Sequence, residues 1–548
     1  MNATRKEFLM GVGVAAVTPQ LLGGEDKPLL KVGITTDTHF GRPDVKGVER
    51  VEKAWNLFKK QGCAVIANCG DIADRFLPKW YDEVCLLRTR VFDDPKTAPR
   101  EVWVYAGHDR IDMPGDTDKK GIGNFALLKE KLHITHEAYD RFSMAGFEFL
   151  IIPAVVDFAR YEQMVAEACQ KTPGKPVFIF DHHPASRTTE NSAIWGDGQR
   201  RRLLSKYPQV VHITGHAHGS LYNEQNIHQG AFTSVSAGCL TYFSENYTGA
   251  AHRETGQNRS VLVLEAFADH AVFRRYSIDT GAEIGADEPW TITWPYDPKK
   301  PFYSHENMRA RHRPADFPPG AALAVSTVTM AGAKVSERGV KLRVDIPVTG
   351  SRFTRHYRVE AYRFGADDAR VPILWHDIRG EFWKDPPKRA KQVVAILDAA
   401  FFEPGEKIEL TVTPCDFWGG EGKPLVWRGT APTDTFKVVW RGELTDKAYR
   451  LPAFPPEVDG KDVKVFVDAE FDQPGAQPVS IGVKPCDFWW AARVATPLGH
   501  TRLTYGFHLA KVSAARRYEF SFQGGERPLS VKFSNLRYLA DVSAANRS

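Results

Sequence analysis

Five short clusters of aspartate and histidine recur along the first half of the chain. Imidazole favours cations such as Zn, Fe, Ni or Cu, whereas carboxylate favours harder ions such as Mn. A mixed set of histidine and aspartate therefore predicts a site for two divalent or trivalent metal ions. The clusters are Asp37-Thr38-His39, Gly70-Asp71, Gly107-His108-Asp109, His182-His183-Pro184 and Gly215-His216-Ala217-His218.

The spacing within two of the clusters favours shared binding. Residues two apart in an extended segment point to the same side, so Asp37 and His39 can reach one ion, as can His216 and His218. Asp71 can bridge two ions, which in such sites lie about 3.5–4 Å apart. Taken alone, Asp-x-His is more typical of a solvated turn, and only His-x-His is as typical of a metal site as of a surface position. Their occurrence together, in order, predicts one metal centre.

Each cluster follows a short, apolar, β-rich run of residues. Helical patterns separate the runs, as in Val48, Val51, Trp55 and Phe58, and this alternation predicts a buried α/β sheet. Ligands of such sheets collect beyond the carboxyl ends of the strands. We therefore expect the clusters to converge. The runs are 31–36, 64–67, 102–105, 177–180 and 210–213.

The periodicity of apolar residues changes after a proline-rich link at 294–320. Val340, Leu342, Val344 and Ile346 alternate with polar residues, and this period of two predicts half-buried strands. We expect an α/β domain at 29–282 and two all-β units. The first, at 316–433, is a fibronectin- or immunoglobulin-like β-sandwich, and the second, at 436–545, is a C-terminal β-sandwich.

A repeated pentapeptide, Pro-Cys-Asp-Phe-Trp, occurs in both β units, at 414–418 and 485–489. It predicts either exposed aromatic loops that contact a polysaccharide or aromatic packing at the end of a strand. The seven cysteines form no Cys-x-x-Cys pair, so a cysteine-built metal site is not expected.

The N-terminal segment 1–26 has the pattern of an export signal. Arg5 and Lys6 precede an apolar run at 8–17, which is followed by Pro19 and polar residues. The segment resembles a bacterial twin-arginine signal with lysine in place of the second arginine. It is too short for a permanent membrane span. We expect an exported protein, in the bacterial periplasm or secreted.

The overall charge excludes two classes of partner from our expectations. The 72 basic and 67 acidic residues leave a net charge of +5, a small excess for 548 residues. Nothing in this balance indicates nucleic acid or an anionic membrane.

The ordered series of clusters resembles the calcineurin-like metallophosphoesterase superfamily, over residues 29–279. The resemblance implies a two-sheet α/β/β/α sandwich that hydrolyses phosphate esters, either monoesters or diesters. It implies that one metal is held by Asp37, His39, Asp71 and His218, and the other by Asp71, His182 and His216. His183 is the second choice for the place given to His182.

The third cluster departs from the pattern of that family. The family carries Gly-Asn-His followed by an acid, whereas here Gly107 precedes His108 and Asp109. Gly107 has no side chain to offer in place of the Asn ligand. We therefore expect the second ion, whether Mn, Fe or Zn, to be bound more weakly than the first.

Hydrolysis of a phosphate ester requires an attacking hydroxide, charge relief and a proton for the leaving group. A metal lowers the pKa of bound water toward about 7, so we expect a metal-bound hydroxide near Asp71 to attack. His108, oriented by Asp109, is expected to stabilise the developing charge or to protonate the leaving oxygen. The expected substrate is a small-molecule or cell-surface phosphate ester.

Two other functions remain open from the sequence. One is a binding or surface-attachment protein whose metal site is decayed or structural, which the glycine at position 107 favours. The other is a metal-dependent hydrolase of a different bond in a glycan or lipid.

Overall fold

A computed structural model describes most of the chain. No helix among the described residues is long and apolar enough to cross a membrane. The expected export signal at 1–26 lies outside them. The described residues are 27–42, 46–94, 96–114, 123–247, 250–254, 259–314, 316–364, 369–444, 449–471, 480–484, 494–495, 502–523 and 531–541.

Helices are few and most lie in the first half of the chain. They are α1 (Gly47–Gln61), α2 (Pro78–Val91), α3 (Phe125–Leu132), α4 (Phe158–Lys171), α5 (Ser192–Trp195), α6 (Gly198–Leu204) and α7 (His305–Arg311). Short 3-10 turns occur at His108–Arg110, Glu224–Asn226, Val335–Glu337, Pro386–Lys388, Ala399–Phe401 and Pro456–Val458.

The first unit contains two large sheets and a hairpin. Its strands are β1 (Leu30–Thr35), β2 (Val65–Asn68), β3 (Arg100–Trp103), β4 (Asp140–Met144), β5 (Phe147–Ile151), β6 (Val177–Phe180), β7 (Val210–Thr214), β8 (Ile227–Gln229), β9 (Thr233–Ser236), β10 (Phe243–Tyr247), β11 (Ala250–Glu254), β12 (Ser260–Ala266), β13 (His270–Ser277), β14 (Glu283–Ile284) and β15 (Trp290–Thr293).

Both large sheets have a parallel centre. One has the order β14-β13-β12-β1-β2-β3, with β15 also paired to β13, and the other has the order β4-β5-β6-β7-β9-β8. The strands β1, β2 and β3 run parallel, as do β5, β6, β7 and β9. The carboxyl ends of several strands are therefore available at one edge of each sheet.

Three hydrophobic clusters define the layers of this unit. The central cluster lies between the two sheets and joins Val32 and Ile34 to Phe178 and Ile213. A second cluster packs α1, α2 and α3 against the sheet that contains β1. A third packs α4 and α6 against the sheet that contains β6. The apolar periodicity of α1 predicts its buried face, which includes Val51 and Phe58.

The remaining described chain after α7 is built from strands. The first β unit contains β16 (Ala324–Ala331), β17 (Arg338–Pro347), β18 (His356–Phe364), β19 (Arg370–Arg379), β20 (Gln392–Asp398), β21 (Lys407–Cys415) and β22 (Leu425–Thr430). The second contains β23 (Phe436–Gly442), β24 (Val463–Phe471), β25 (Ser480–Lys484), β26 (Val494–Ala495), β27 (Arg502–Leu509), β28 (Glu519–Gln523) and β29 (Val531–Asp541).

Each β unit pairs two sheets over a common core. The first has sheets β16-β17-β20 and β19-β18-β21-β22, and the second has β23-β29-β24-β27 and β26-β25-β28. Leu342 and Ala395 of one sheet share a cluster with Val359 and Leu410 of the other. The expectation of a mixed α/β unit followed by β units is confirmed at this level.

The first large sheet continues beyond the expected boundary at residue 282. The strand β15 pairs antiparallel with β13 through residues such as Trp290 and Phe273. Trp290 is buried, and its indole nitrogen donates a hydrogen bond to Glu224 at 2.8 Å. Because a proline-rich stretch follows this strand directly, the sequence pattern does not show where the sheet ends.

The first β unit packs directly on the first unit. The side chains of Phe382, Trp383, Phe417 and Trp418 belong to the same hydrophobic cluster as the centre of the two-sheet core. The pentapeptide at 414–418 therefore packs its aromatic residues and does not expose them to a polysaccharide. The second copy, at 485–489, lies outside the described residues.

A buried ionic network joins the two β units. The ammonium group of Lys464 lies 3.0 Å from Asp398 and 2.9 Å from Asp434. Asp398 also contacts Lys341 at 2.7 Å and the Nε2 atom of His508 at 3.1 Å. Because each buried charge has partners of opposite sign, the network can remain ionised away from water.

Candidate metal centre

The six candidate ligands lie in loops directly after parallel strands. Backbone hydrogen bonds join these loops within each sheet: the amide of Asp37 donates to Gly70 at 3.0 Å, and that of Gly215 donates to His182 at 3.0 Å. Asp37 and His39 follow β1, Asp71 follows β2, His182 follows β6, and His216 and His218 follow β7.

The loops of the two sheets also contact each other. The amide of His216 donates a hydrogen bond to the Oδ2 atom of Asp37 at 3.0 Å. Gly70 allows the close approach, because a Cβ atom there would lie 2.6 Å from the Cβ of Ala106 and 2.7 Å from Nδ1 of His182. Its φ of 101° also suits glycine best.

Five of the six candidate ligands adopt left-handed backbone conformations. Residues other than glycine seldom adopt positive φ, and such conformations concentrate at functional sites. The bends turn the side chains out of their strands toward one another. The φ values are 50° for Asp37, 42° for His39, 52° for Asp71, 64° for His216 and 49° for His218.

One group of donors contains Asp37, His39 and His218. Nε2 of His218 lies 3.1 Å from Oδ1 of Asp37, and Nε2 of His39 lies 3.9 Å from the same oxygen. All three residues are buried. Their ligand atoms lie within 4.8 Å of one another, close enough to share one ion.

A second group contains Asp71, His182 and His216, with ligand atoms again within 4.8 Å of one another. Nε2 of His182 lies 3.2 Å from Oδ2 of Asp71. Nε2 of His39 lies 3.8 Å from that same oxygen, so Asp71 stands between the two groups. The structure thus brings together all six candidate ligands.

Buried polar atoms without partners fit a cation at this place. Among the described residues, Oδ1 of Asp37 and the Nε2 atoms of His39 and His182 are buried without a hydrogen-bond partner. A buried polar atom of this kind costs about 1–3 kcal/mol. Coordination of a metal ion would satisfy these atoms, and imidazole with carboxylate is a suitable donor set.

The second nitrogen of three histidine rings is oriented by the surrounding chain. Nδ1 of His182 lies 2.8 Å from the carbonyl oxygen of Cys69, and Nδ1 of His218 lies 2.9 Å from that of Tyr242. Nδ1 of His39 lies 3.3 Å from the carboxylate of Asp74. These contacts favour a proton on Nδ1 and leave Nε2 as the ligand atom.

The electrostatics keep the carboxylates charged. Burial opposes ionisation of Asp37 and Asp71, but the adjacent imidazoles of His218 and His182 hold both pKa values below their usual range. Burial also disfavours a charged His182, yet Asp71 raises its pKa to about 9. The cage therefore attracts positive charge, which a proton or a metal ion can supply.

The two adjacent histidines of the fourth cluster have different environments. His182 belongs to the second donor group, whereas the ring centroid of His183 lies 4.2 Å from that of His216. Burial lowers the pKa of His183 to about 2, so its ring is neutral. His182 thus stands where the sequence analysis placed the ligand, and His183 packs behind His216.

His108 lies at the open side of the cage. Its backbone amide donates to Oδ1 of Asp71 at 3.0 Å, and its ring forms a third donor group with His39 and Asp71. Nδ1 of His108 lies 2.9 Å from the carbonyl oxygen of Asp74. The side chain is 41% exposed, so it is accessible to a substrate.

The carboxylate of Asp109 binds backbone amides and not the ring of His108. Its carboxylate accepts hydrogen bonds from the amides of Ile72 and Ala73 at 3.0 and 3.2 Å, and from Ala106 at 3.3 Å. Burial raises its pKa to about 8. Asp109 thus joins the loop after β2 to the loop after β3.

The contact with the His108 ring comes from Asp74, a residue that the sequence analysis missed. Asp74 follows Asp71 by three positions, and a second acid so close to the first was the signal available. It contacts the rings of both His39 and His108, the latter with Oδ1 at 3.8 Å from Nδ1.

Gly107 leaves room for a side chain. Its backbone has φ −65° and ψ −45°, which any residue adopts. A Cβ atom at this position would have no heavy atom within 4 Å. Lack of space therefore does not explain the absence of an asparagine at this position.

The rim of the cage differs from one side to the other. Beside His218, the ring of Tyr242 stacks at 4.2 Å between centroids, and the guanidinium of Arg42 lies 4.6 Å from the Tyr242 ring. Beside His216, the indole of Trp195 lies 6.0 Å away and perpendicular to the imidazole. One side is cationic and the other apolar.

No protein-family model and no curated protein matches the chain. Solved structures share a slight likeness. A dimetal phosphatase from Danio rerio is 12% identical, with 50% of this chain and 100% of that chain covered and a TM-score of 0.33. A purple acid phosphatase from yellow lupin seeds is 14% identical, with 48% of this chain and 53% of that chain covered and a TM-score of 0.36.

The GAP50 anchor of the inner membrane complex of Plasmodium is 13% identical, with coverage of 49% of this chain and 89% of that chain and a TM-score of 0.34. These likenesses are too slight to assign a function. The chemistry of the site rests on the geometry of its own residues.

Proposed function

We propose that this protein is a metallophosphoesterase of the calcineurin-like type, which hydrolyses phosphate monoesters or diesters with two metal ions. The observation that carries the proposal is the pair of donor groups, in each of which the ligand atoms lie within 4.8 Å of one another. Asp71 would serve both ions, because its carboxylate lies between His39 and His182.

The residues present fit the ions, and each has a definite part. Asp37, His39, Asp71 and His218 would hold one ion, and Asp71, His182 and His216 the other. Mn, Fe or Zn suits this mixture of imidazole and carboxylate. When bound, such ions supply Lewis acidity, which acidifies water and relieves charge on phosphoryl oxygens.

His108 is the residue that we propose to donate a proton to the leaving group. The main-chain carbonyl oxygen of Asp74 lies 2.9 Å from Nδ1 of the ring, which leaves Nε2 as the nitrogen that can transfer a proton. Asp74 positions this ring and also that of His39. General acid catalysis of this kind contributes about 10²–10⁴-fold to the rate.

We further propose that the protein acts outside the cytoplasm on a small-molecule or cell-surface phosphate ester. Support comes from the basic and apolar pattern at 1–26. Among the described residues, the pentapeptide at 414–418 gives no support to a polysaccharide contact, because Phe417 and Trp418 are buried.

A combined measurement of metal content and turnover tests the proposal. We expect the purified protein to bind two equivalents of Mn²⁺ or Zn²⁺ and to hydrolyse p-nitrophenyl phosphate or bis-p-nitrophenyl phosphate. In the Asp71→Asn protein, turnover should fall by about 10³-fold or more, and both metal ions should bind more weakly. Asp93→Asn, at an exposed carboxylate, serves as the control.

Two outcomes would reject phosphate-ester hydrolysis. Metal binding without turnover of either ester would favour the alternative, a binding or surface-attachment protein with a structural metal site. Turnover that survives in the Asp71→Asn protein would show that the chemistry takes place elsewhere.

A further inference from the structure

The loop after β6 is closed on itself next to the metal centre. The amide of Asp197 donates to the carbonyl of Pro184 at 2.8 Å, and the amide of Ser186 donates back to Asp197 at 3.0 Å. Ala185 and Asp197 form a parallel β-bridge. The segment 184–197, which we call the rim loop, therefore begins and ends at one point.

The interior of the rim loop is held by Ser192. Its hydroxyl donates to the carbonyl of Thr189 at 2.6 Å and accepts from the amide of Thr188 at 2.8 Å. At Gly196, a Cβ atom would lie 2.6 Å from the Cα of Ser186. The loop thus has hydrogen bonds and close packing inside, which favour a single conformation.

Asn191 fastens the rim loop to the metal centre. Its side-chain nitrogen donates to the carbonyl oxygen of Ala217 at 3.2 Å and to that of Ser244 at 2.7 Å. Ala217 is the residue between His216 and His218. The position of the loop is therefore set relative to the candidate ligands.

The rim loop presents apolar residues to solvent. Ile194 is 62% exposed and Trp195 is 51% exposed. Adjacent exposed apolar side chains, unlike singly scattered ones, can form part of a ligand-binding surface. The indole N–H of Trp195 is the one polar side-chain group at positions 193–195.

We propose that Trp195 recognises an aromatic ring in the organic group of the phosphate ester. This inference rests on the proposed function and names the substrate class of the same site. The indole stands beside His216, so a phosphoryl group at the cage places its ester substituent within reach of the ring. Aromatic stacking on tryptophan supplies the recognition.

Phosphonates test this inference by binding alone, because their carbon–phosphorus bond is not an ester. We expect the metal-loaded protein to bind phenylphosphonate more tightly than methylphosphonate in calorimetry. Trp195→Ala should reduce that preference by about tenfold, the size expected for one stacked ring. Trp195→Phe should retain most of it.

Leu86→Ala, which truncates a 71% exposed side chain on α2, is the control and should change neither affinity. An equal phenyl preference in the wild-type and Trp195→Ala proteins would overturn the inference and leave the proposed function intact. Failure of both phosphonates to bind, together with no turnover of either nitrophenyl ester, would instead overturn the proposed function.

Discussion

Gly107 is the one residue at which the metal centre lacks an expected side chain. The backbone there suits any amino acid, and the space for a Cβ atom is open. The other candidate ligands are all assembled. The affinity for the second ion should therefore depend on what stands at this position.

Gly107→Asn should increase the affinity for the more weakly bound ion by about tenfold, or about 1.4 kcal/mol, because the amide oxygen adds a ligand. Titration of the metal-free protein with Mn²⁺ measures both affinities. Gly107→Ala is the matched control, since it fills the same space without an oxygen. Equal affinities in the two variants would contradict the expectation.

Asp74 links the candidate acid to a candidate ligand, since it contacts both His108 and His39. Asp74→Asn should lower turnover by about tenfold to a hundredfold, because it removes the carboxylate charge that lies 3.3 Å from Nδ1 of the candidate ligand His39. Asp112→Asn, at a nearby exposed acid, should leave turnover unchanged.

At the level of secondary structure, the strand β6 brings a buried ion pair beneath the site. The guanidinium of Arg200 in α6 lies 2.8 Å from Asp181, which also contacts Nε2 of His212 at 3.2 Å. All three side chains are buried. The pair fixes α6 against the strands that carry His182 and His216.

Arg200→Met should destabilise the protein by about 3–5 kcal/mol, because it leaves the buried carboxylate of Asp181 without its partner. Chemical denaturation measures the loss. Arg202→Met, at an exposed position of the same helix, controls for the change of side chain. A loss below about 1 kcal/mol would show that water or His212 compensates.

The central strands could be predicted well from the sequence, and their ends less well. The apolar run at 177–180 coincides with β6, but the run at 102–105 is observed as Arg100–Trp103. Periodicity reports which residues face a core. Strand ends depend on pairing, which a single sequence does not display.

The same limit explains what was missed at the site. All six candidate ligands could be identified, because each follows an apolar strand. Asp74 and Trp195 could not, because their position depends on how loops close after the strand. The orienting role expected of Asp109 was assigned from its proximity to His108 in the chain, whereas the hydrogen bond to the ring involves the main-chain carbonyl oxygen of Asp74.

At the scale of the whole molecule, the units are joined by contacts of two kinds. Aromatic residues of the first β unit share the hydrophobic core of the first unit. The two β units share the ionic network around Asp398 and Lys464. The first joint also contains ion pairs, such as that of Arg352 with Asp287 at 2.7 Å, and the second is built around buried carboxylates that acid can neutralise.

The joint between the β units should weaken in acid. Burial disfavours ionisation of Asp398, but His508, Lys464 and Lys341 hold its pKa below the usual value of 3.8. Its contribution to stability is therefore complete above about pH 4 and is lost as the pH falls further. Thermal unfolding between pH 5 and pH 3 should show the loss, which Asp398→Asn should diminish.

The left-handed backbone at five ligand positions affects the stability of the protein with and without bound metal ions. Each left-handed residue costs roughly 1–2 kcal/mol, which together rivals the net stability of a domain, about 5–15 kcal/mol. Replacement of His39 or His218 by glycine should therefore stabilise the ion-free protein, but it removes one ligand of the metal ion. Melting temperatures in chelator and in saturating Mn²⁺ would move in opposite directions.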